Sequence, residues 1–251
     1  MVRVGALGTA APLFLALTLA LALAPTPASA WSAQTWQSVA ADAARLAPPD
    51  LARQLFKHAG ELAAGAAEPV ATGRRAGLAA EVADAIEAIR DHRPFAEVAR
   101  RLGRVTRLAA ELSDPLSSSS ADPEEDRYRD DYAAYAESAR PRFAVVVYEW
   151  KPPVSRAADV AALEQEAAAR GRRLYPLLGG EYRRIGFASG RERFDDRSSA
   201  FGLAALAYSH AVTDTARLFR YAWLAAGGAD PRPVFAHARD RVLVLEQGGT
   251  R

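Results

Sequence analysis

Apolar residues recur every three or four positions in blocks bounded by proline and glycine, a pattern that leaves this chain little choice but a bundle of helices. The clearest block follows Pro94. Phe95, Val98, Leu102, Val105, Leu108 and Leu112 fall at helical spacing, and Asp114-Pro115 ends the run. Ahead of it, Val39, Ala43, Ala44 and Leu46 form a stripe after Ser32 that stops before Pro48-Pro49. Asp50 is placed to cap a second helix, with Leu51, Leu55, His58 and Leu62 on one face. A glycine-bearing loop, Gly65 to Gly73, precedes a third helix marked by Leu78, Val82, Ile86 and Ile89.

The second half is less regular. Ser117 to Ser120 reads as a loop, and Asp122-Pro123-Glu124-Glu125 as a helix start. Phe143 to Trp150 is the one strand-like run, ended by Pro152-Pro153. A short helix fits Ala157 to Arg170, and Gly171 to Arg193 reads as irregular and arginine-rich. The longest helical pattern spans Ser198 to Ala226, with Leu203, Leu206, Leu218, Phe219 and Leu224, and Gly227-Gly228 stops it. Pro231 opens a last helix through Phe235, Ala238, Val242 and Leu245. The expected fold is therefore mainly α. One all-α domain covers residues 31–251, with its core in 31–140 and 196–245 and an irregular insertion over 141–195.

Residues 1–30 read as a signal peptide. Arg3 precedes an apolar run from Leu13 to Leu23 that only Thr18 interrupts, and Ala28-Ser29-Ala30 is an A-x-A cleavage site. The run falls short of the roughly 20 residues that a bilayer span needs. Cleavage leaves Trp31 at the mature N-terminus, with no later membrane span, in a protein expected in the periplasm or outside a bacterial cell. The 251 residues contain no cysteine and only four histidines, which excludes disulfide scaffolds, thiol nucleophiles and cysteine-ligated metals. A net charge of +2 gives no strong nucleic-acid signal.

The exported start, Trp31 and the helix end at Asp114-Pro115-Leu116 together resemble the superfamily of zinc-dependent phospholipases C and single-strand-specific nucleases. That resemblance implies an all-α phosphoesterase fold in which the mature N-terminal tryptophan ligates zinc. It also implies a Trp-Gly-x-x-Gly-His start, a His-x-x-x-Asp helix leading to Pro-Leu/Met-His, and a further His-x-x-x-Glu/Asp pair. Laid onto this chain, Trp31 keeps its place and Trp36 takes the first histidine position. Arg107 replaces a histidine, Glu111 the aspartate and Ser117 the histidine after Pro-Leu. Asp126 and Asp130 take the last pair's positions. His58 with Glu61 also resembles a helix found early in bacterial relatives.

The replacements carry physical meaning. A guanidinium donates hydrogen bonds and does not ligate metal, so Arg107 can supply the metal's charge beside Glu111 but not its chemistry. The expectation is a vestigial site of Trp31, Trp36, Arg107, Glu111, Ser117, Asp126 and Asp130 in a fold that has lost its zinc. Arg107 and Glu111 read equally as a solvated helical pair worth about 0.3–0.5 kcal/mol. His210 and Asp214, one turn apart, are a second candidate, either an oriented acid–base pair or a core histidine bonded to its neighbour. His58, His92 and His237 stand isolated.

Arg183, Arg184 and Arg193 are anion-binding candidates in a basic segment that also reads as a self-paired loop. Tyr182, Phe187 and Phe194 interleave with it and hint at a nucleic-acid or sugar surface. The leading expectation is an exported phospholipase C/nuclease-like domain without full catalysis, binding an envelope or extracellular partner and needing no cofactor. The enzyme alternative is a phosphoesterase holding one or two zinc ions through Trp31, Glu111, Asp126, Asp130, His210 and Asp214. In a third reading the helical protein is unrelated to that superfamily.

Overall fold

A computed structural model of the chain describes residues 31–69, 77–118, 122–148, 153–231 and 242–245. These residues are mainly helical. In chain order they form α1 (Ala33–Ala44), α2 (Pro49–Lys57), α3 (Ala59–Ala67), α4 (Leu78–Arg90) and α5 (Phe95–Ser113). Then come α6 (Arg129–Ala139), β1 (Val145–Tyr148), α7 (Ala157–Arg184), α8 (Gly190–Arg193), α9 (Ser199–Ala225) and β2 (Val242–Leu245). Short 3-10 turns at Leu116–Ser118, Glu125–Arg127 and Arg140–Arg142 join some of them. Residues 1–30, which hold the expected signal peptide, lie outside the described residues.

The axis of the fold is α5, which packs against α1, α3, α4, α7 and α9. Its apolar stripe buries Val98, Leu102 and Val105, and Pro94 and Pro115 bound it because neither can continue a helix. The closest approach is to α3. A Cβ added at Gly65 would overlap the Arg100 carbonyl oxygen, and one at Gly103 would overlap the Leu62 carbonyl oxygen. The two backbones touch because these positions have no side chain. The other central element is α9. It is capped by Ser198, whose hydroxyl accepts from the Phe201 amide at 3.1 Å, and buries small and aromatic residues around most of its middle. Ser209 Oγ accepts the Val146 amide at 3.1 Å and pins β1 to it.

Several expectations change in the structure. Gly65 lies inside α3 as a packing glycine and does not open a loop. The second expected helix breaks at His58, whose backbone (φ −113°, ψ 36°) separates α2 from α3. Asp50 sits in the first turn of α2, with Pro48 at the cap and Pro49 at the first helical position.

The segment expected to be irregular from Gly171 is helix as far as Arg184. It runs through Pro176, and Leu163, Ala167, Leu178 and Tyr182 are buried within α7. Gly179 is there for contact, since a Cβ on it would stand 3.2 Å from the Tyr128 hydroxyl. The expected C-terminal helix is replaced at Val242–Leu245 by β2, antiparallel to β1 with Val145 opposite Leu245. The alternating β-branched run Val-Leu-Val-Leu satisfies its backbone on a strand about a hundred residues earlier. The rest of that segment, with His237, lies outside the described residues, as do Trp150 and the second half of the Ser117–Ser120 run.

The glycine contacts predict opposite outcomes for two substitutions. Gly103→Ala should cost about 3 kcal/mol or more in urea unfolding, because backbone has to move. Gly202→Ala, at a helical position with nothing within 4 Å of the added carbon, should stabilise by about 0.5–1 kcal/mol.

Candidate functional site

The α3–α5 contact brings the C-terminal carbonyls of α3 over the middle of α5, within reach of its arginines. Arg107 uses them. One of its terminal N–H groups donates to the Glu68 carbonyl at 2.7 Å, and its Nε–H donates to Glu111 Oε1 at 2.8 Å. The guanidinium lies 4.0 Å from the centre of the Trp36 ring, a cation–π geometry. Trp36 and Glu111 therefore both meet the Arg107 guanidinium. Arg107 is largely buried, with 14% of its side chain exposed, so the pair is not the freely solvated kind. It also brings a positive charge to a helix C-terminus, where the dipole favours one.

One turn further along, Glu68 itself binds Arg100 and Arg104. Burial alone raises the Glu68 carboxyl, but the hydrogen bonds and charges of the two arginines outweigh it and hold the group below the usual carboxylate range. Arg104 continues to Glu81 at 3.1 Å. This ladder ties α3, α4 and α5 together.

A second neighbourhood forms at the end of α5. Asp114 is fully buried and accepts from the Leu116 amide at 3.0 Å and from Ser117 Oγ at 3.1 Å, shaping the turn through Pro115. The wholly buried Tyr132 phenol is pushed up by burial and further by the Asp114 carboxylate, while the neighbouring Trp31 indole works the other way. Trp31 is buried, its ring 6.3 Å from that of Tyr208. Tyr208 donates to Asp42 Oδ2 at 2.9 Å. Trp31, Tyr132 and Asp114 thus share an interior neighbourhood, and the exposed Ser117 touches its edge through Asp114.

Asp126 and Asp130 do not join either cluster; both are exposed on the outer side of this turn and helix. The inward carboxylate of α6 is Asp131, which accepts from the Tyr182 hydroxyl and the Gly190 amide, each at 2.7 Å. Tyr182 and Phe194 are buried. Tyr182 stacks on Tyr128 at 4.7 Å, Phe194 meets Tyr182 edge-on at 5.2 Å, and Phe187 lies 6.2 Å from Tyr128. Tyr182 and Phe194 therefore sit in the interior instead of on the nucleic-acid or sugar surface that their interleaving with arginines suggested, while Phe187 is partly buried under Arg127. Of the anion-binding candidates, Arg183 pairs with Glu124 at 3.1 Å and Arg184 with Glu181 at 2.8 Å, while Arg193 is exposed on α8.

Asp214 is buried at 2% exposure and bound by Arg170 from α7 and by Arg217 at 3.2 Å. Arg170 also holds Glu166 at 2.9 Å. Burial pushes the Asp214 carboxyl up against the pull of both arginines. The His210 imidazole is driven down to about 4 by burial, with the Arg170 and Arg173 charges adding to it, so near neutral pH it is an uncharged ring. Asp214 is thus the counter-ion of a buried arginine pair. His58 lies 3.8 Å from Glu61 at the α2–α3 break, and His92 adopts φ 53° just past the end of α4.

Zinc does not fit the first cluster, where a donor-only guanidinium already occupies Glu111 and stacks on Trp36. Among the described residues no group of three or more histidine or carboxylate side chains is placed to hold a metal ion, and no helix is long and apolar enough to cross a membrane. No family model matches this chain, and neither does any curated protein or solved structure.

Sequence reasoning missed Asp114, Tyr132, Arg170 and Arg217. Tyr128, Tyr132 and Tyr135 were legible as one helix face by their spacing. Arg170 gave no signal, because its partner lies 44 positions away.

Two measurements test these contacts. Asp214→Ala removes the buried carboxylate that Arg170 and Arg217 share and should cost about 3–5 kcal/mol in chemical unfolding. The His210 pKa lies below its ordinary 6.5, so on acidification the unfolded chain takes the proton first. Its contribution to stability is complete above about pH 6.5 and is lost as pH falls towards about 4. Urea midpoints followed from neutral pH down to about pH 4 should therefore fall less steeply for His210→Gln than for the unaltered protein.

Proposed function

We propose that this chain is an exported helical domain of the phospholipase C/nuclease type whose metal site has been replaced by a structural cation, and that it works by binding a partner outside the cytoplasm. One observation carries the reading. Trp36, Arg107 and Glu111, which the resemblance assigns to a single metal site, meet in space although 71 positions separate the first from the second. Arg107 stands there as a cation held by a carboxylate, a ring face and helix carbonyls. It does for Glu111 what a metal ion does electrostatically, but offers no open coordination position to a substrate. The buried Trp31, beside Tyr132 and Asp114, lends further support, while Ser117, bonded to Asp114 but exposed, lends little and the exposed Asp126 and Asp130 lend none.

The test is metal content and phosphodiester hydrolysis of the purified protein. Mass spectrometry after dialysis should find less than one zinc ion per chain, and bis(p-nitrophenyl) phosphate should not be turned over in a chelator-sensitive way. Two or three retained zinc ions with chelator-sensitive turnover would instead establish the enzyme alternative. Arg107→Met should cost about 1–3 kcal/mol in unfolding, because it leaves Glu111 and the α3 carbonyls without their donor.

A further inference from the structure

The antiparallel seam between α7 and α9 changes character along its length. At one end Arg170, on α7, reaches Asp214 on α9. One turn on, α7 carries Arg173 and α9 carries His210, and the Arg173 charge acts on the His210 ring. One further turn on, at Leu177 and Leu206, the seam opens into a groove of about 380 Å³ lined by Leu177, Glu181, Ser199, Gly202, Leu203 and Leu206. Spacings of four residues keep 173 and 177, and likewise 206 and 210, on one face of each helix. The charged turn and the apolar groove are therefore consecutive parts of one surface.

We propose that this seam binds a single-chain fatty acid, with the acyl chain lying in the leucine groove and the carboxylate held by Arg173 beside His210. Three observations fit that ligand. The groove falls in the size range of small-molecule sites, and three of its six lining residues are leucine. Leu177 leaves 56% of its surface exposed on the lip, unusual for a large apolar side chain in this fold. The charge is one-sided. Glu166 and Asp214 are both engaged by Arg170, and Glu181, at the far end of the groove, is engaged by Arg184. Arg173 is exposed and has no ion pair among the described residues, and the neutral His210 ring beside it carries no competing charge. An apolar slot ending at an uncommitted guanidinium complements an alkyl chain ending in an anion. This proposal does not depend on the retired metal site, which lies on α1 and α5.

Titration of the purified protein with laurate, below its micelle concentration, tests the assignment against dodecanol as a neutral control. Laurate should bind one to one and about tenfold more tightly than dodecanol. Arg173→Glu should remove that preference without abolishing dodecanol binding. Gly202→Phe fills the groove from a helical position with open space around it, so it should keep the unfolding midpoint and lose both ligands. Leu177→Glu, at an exposed position, serves as a second block should the phenylalanine variant fail to fold. Absence of laurate binding, equal affinity for the alcohol, or binding untouched by both groove variants would each overturn the proposal.

Discussion

Backbone-to-backbone contact between α3 and α5 sets the rest of this structure. It exists because Gly65 and Gly103 carry no side chain at the crossing, so that each helix presents a carbonyl oxygen to the other. That closeness delivers Glu68 and the carbonyls at the end of α3 to Arg100, Arg104 and Arg107 in successive turns of α5. A wider crossing would leave those guanidiniums in water. With them in place, α5 is fixed in rotation as well as position, and Trp36 has a cation against its face.

Two of the charge systems with buried groups among the described residues differ in kind. Arg107 with Glu111 and Trp36 is part-buried and closes a helix end, so its charge is matched both by a carboxylate and by a dipole. Arg170, Asp214 and Arg217 lie deeper, and there desolvation competes with pairing for control of the carboxylate. Such a system adds little net stability over an apolar core, yet is costly to break in half. It fixes the register of α7 against α9, and that register lines up the turns carrying Arg173, His210 and the leucine groove.

The proposed likeness to zinc phosphoesterases rests on a physical equivalence. A histidine ligand and an arginine both need a carboxylate near them, the first beside a metal and the second in place of one. On the proposed reading, arginine and tryptophan at the ligand positions preserve the need for Glu111 while changing what the cluster does. In this chain the cluster is a guanidinium held between an anion and a ring.

The helices α1, α4, α5 and α9 were legible in the sequence because their signals are local: an apolar stripe, a capping serine, a proline that cannot continue the helix. The course of α7 was not, since its glycines and proline read as breaks until Tyr128 is seen against Gly179. Nor was β2, whose hydrogen bonds are made to a strand far away in the chain. At the site, the spacing of Arg107 and Glu111 was enough to pair them. The ring of Trp36 under the guanidinium, the role of Asp114 and the capture of Asp214 by Arg170 required the tertiary structure. By itself the sequence determined a helical chain with almost no histidine to spend on metal. Which charges met, and which were left facing an open groove, was decided only when close packing brought distant turns within a few ångströms of each other.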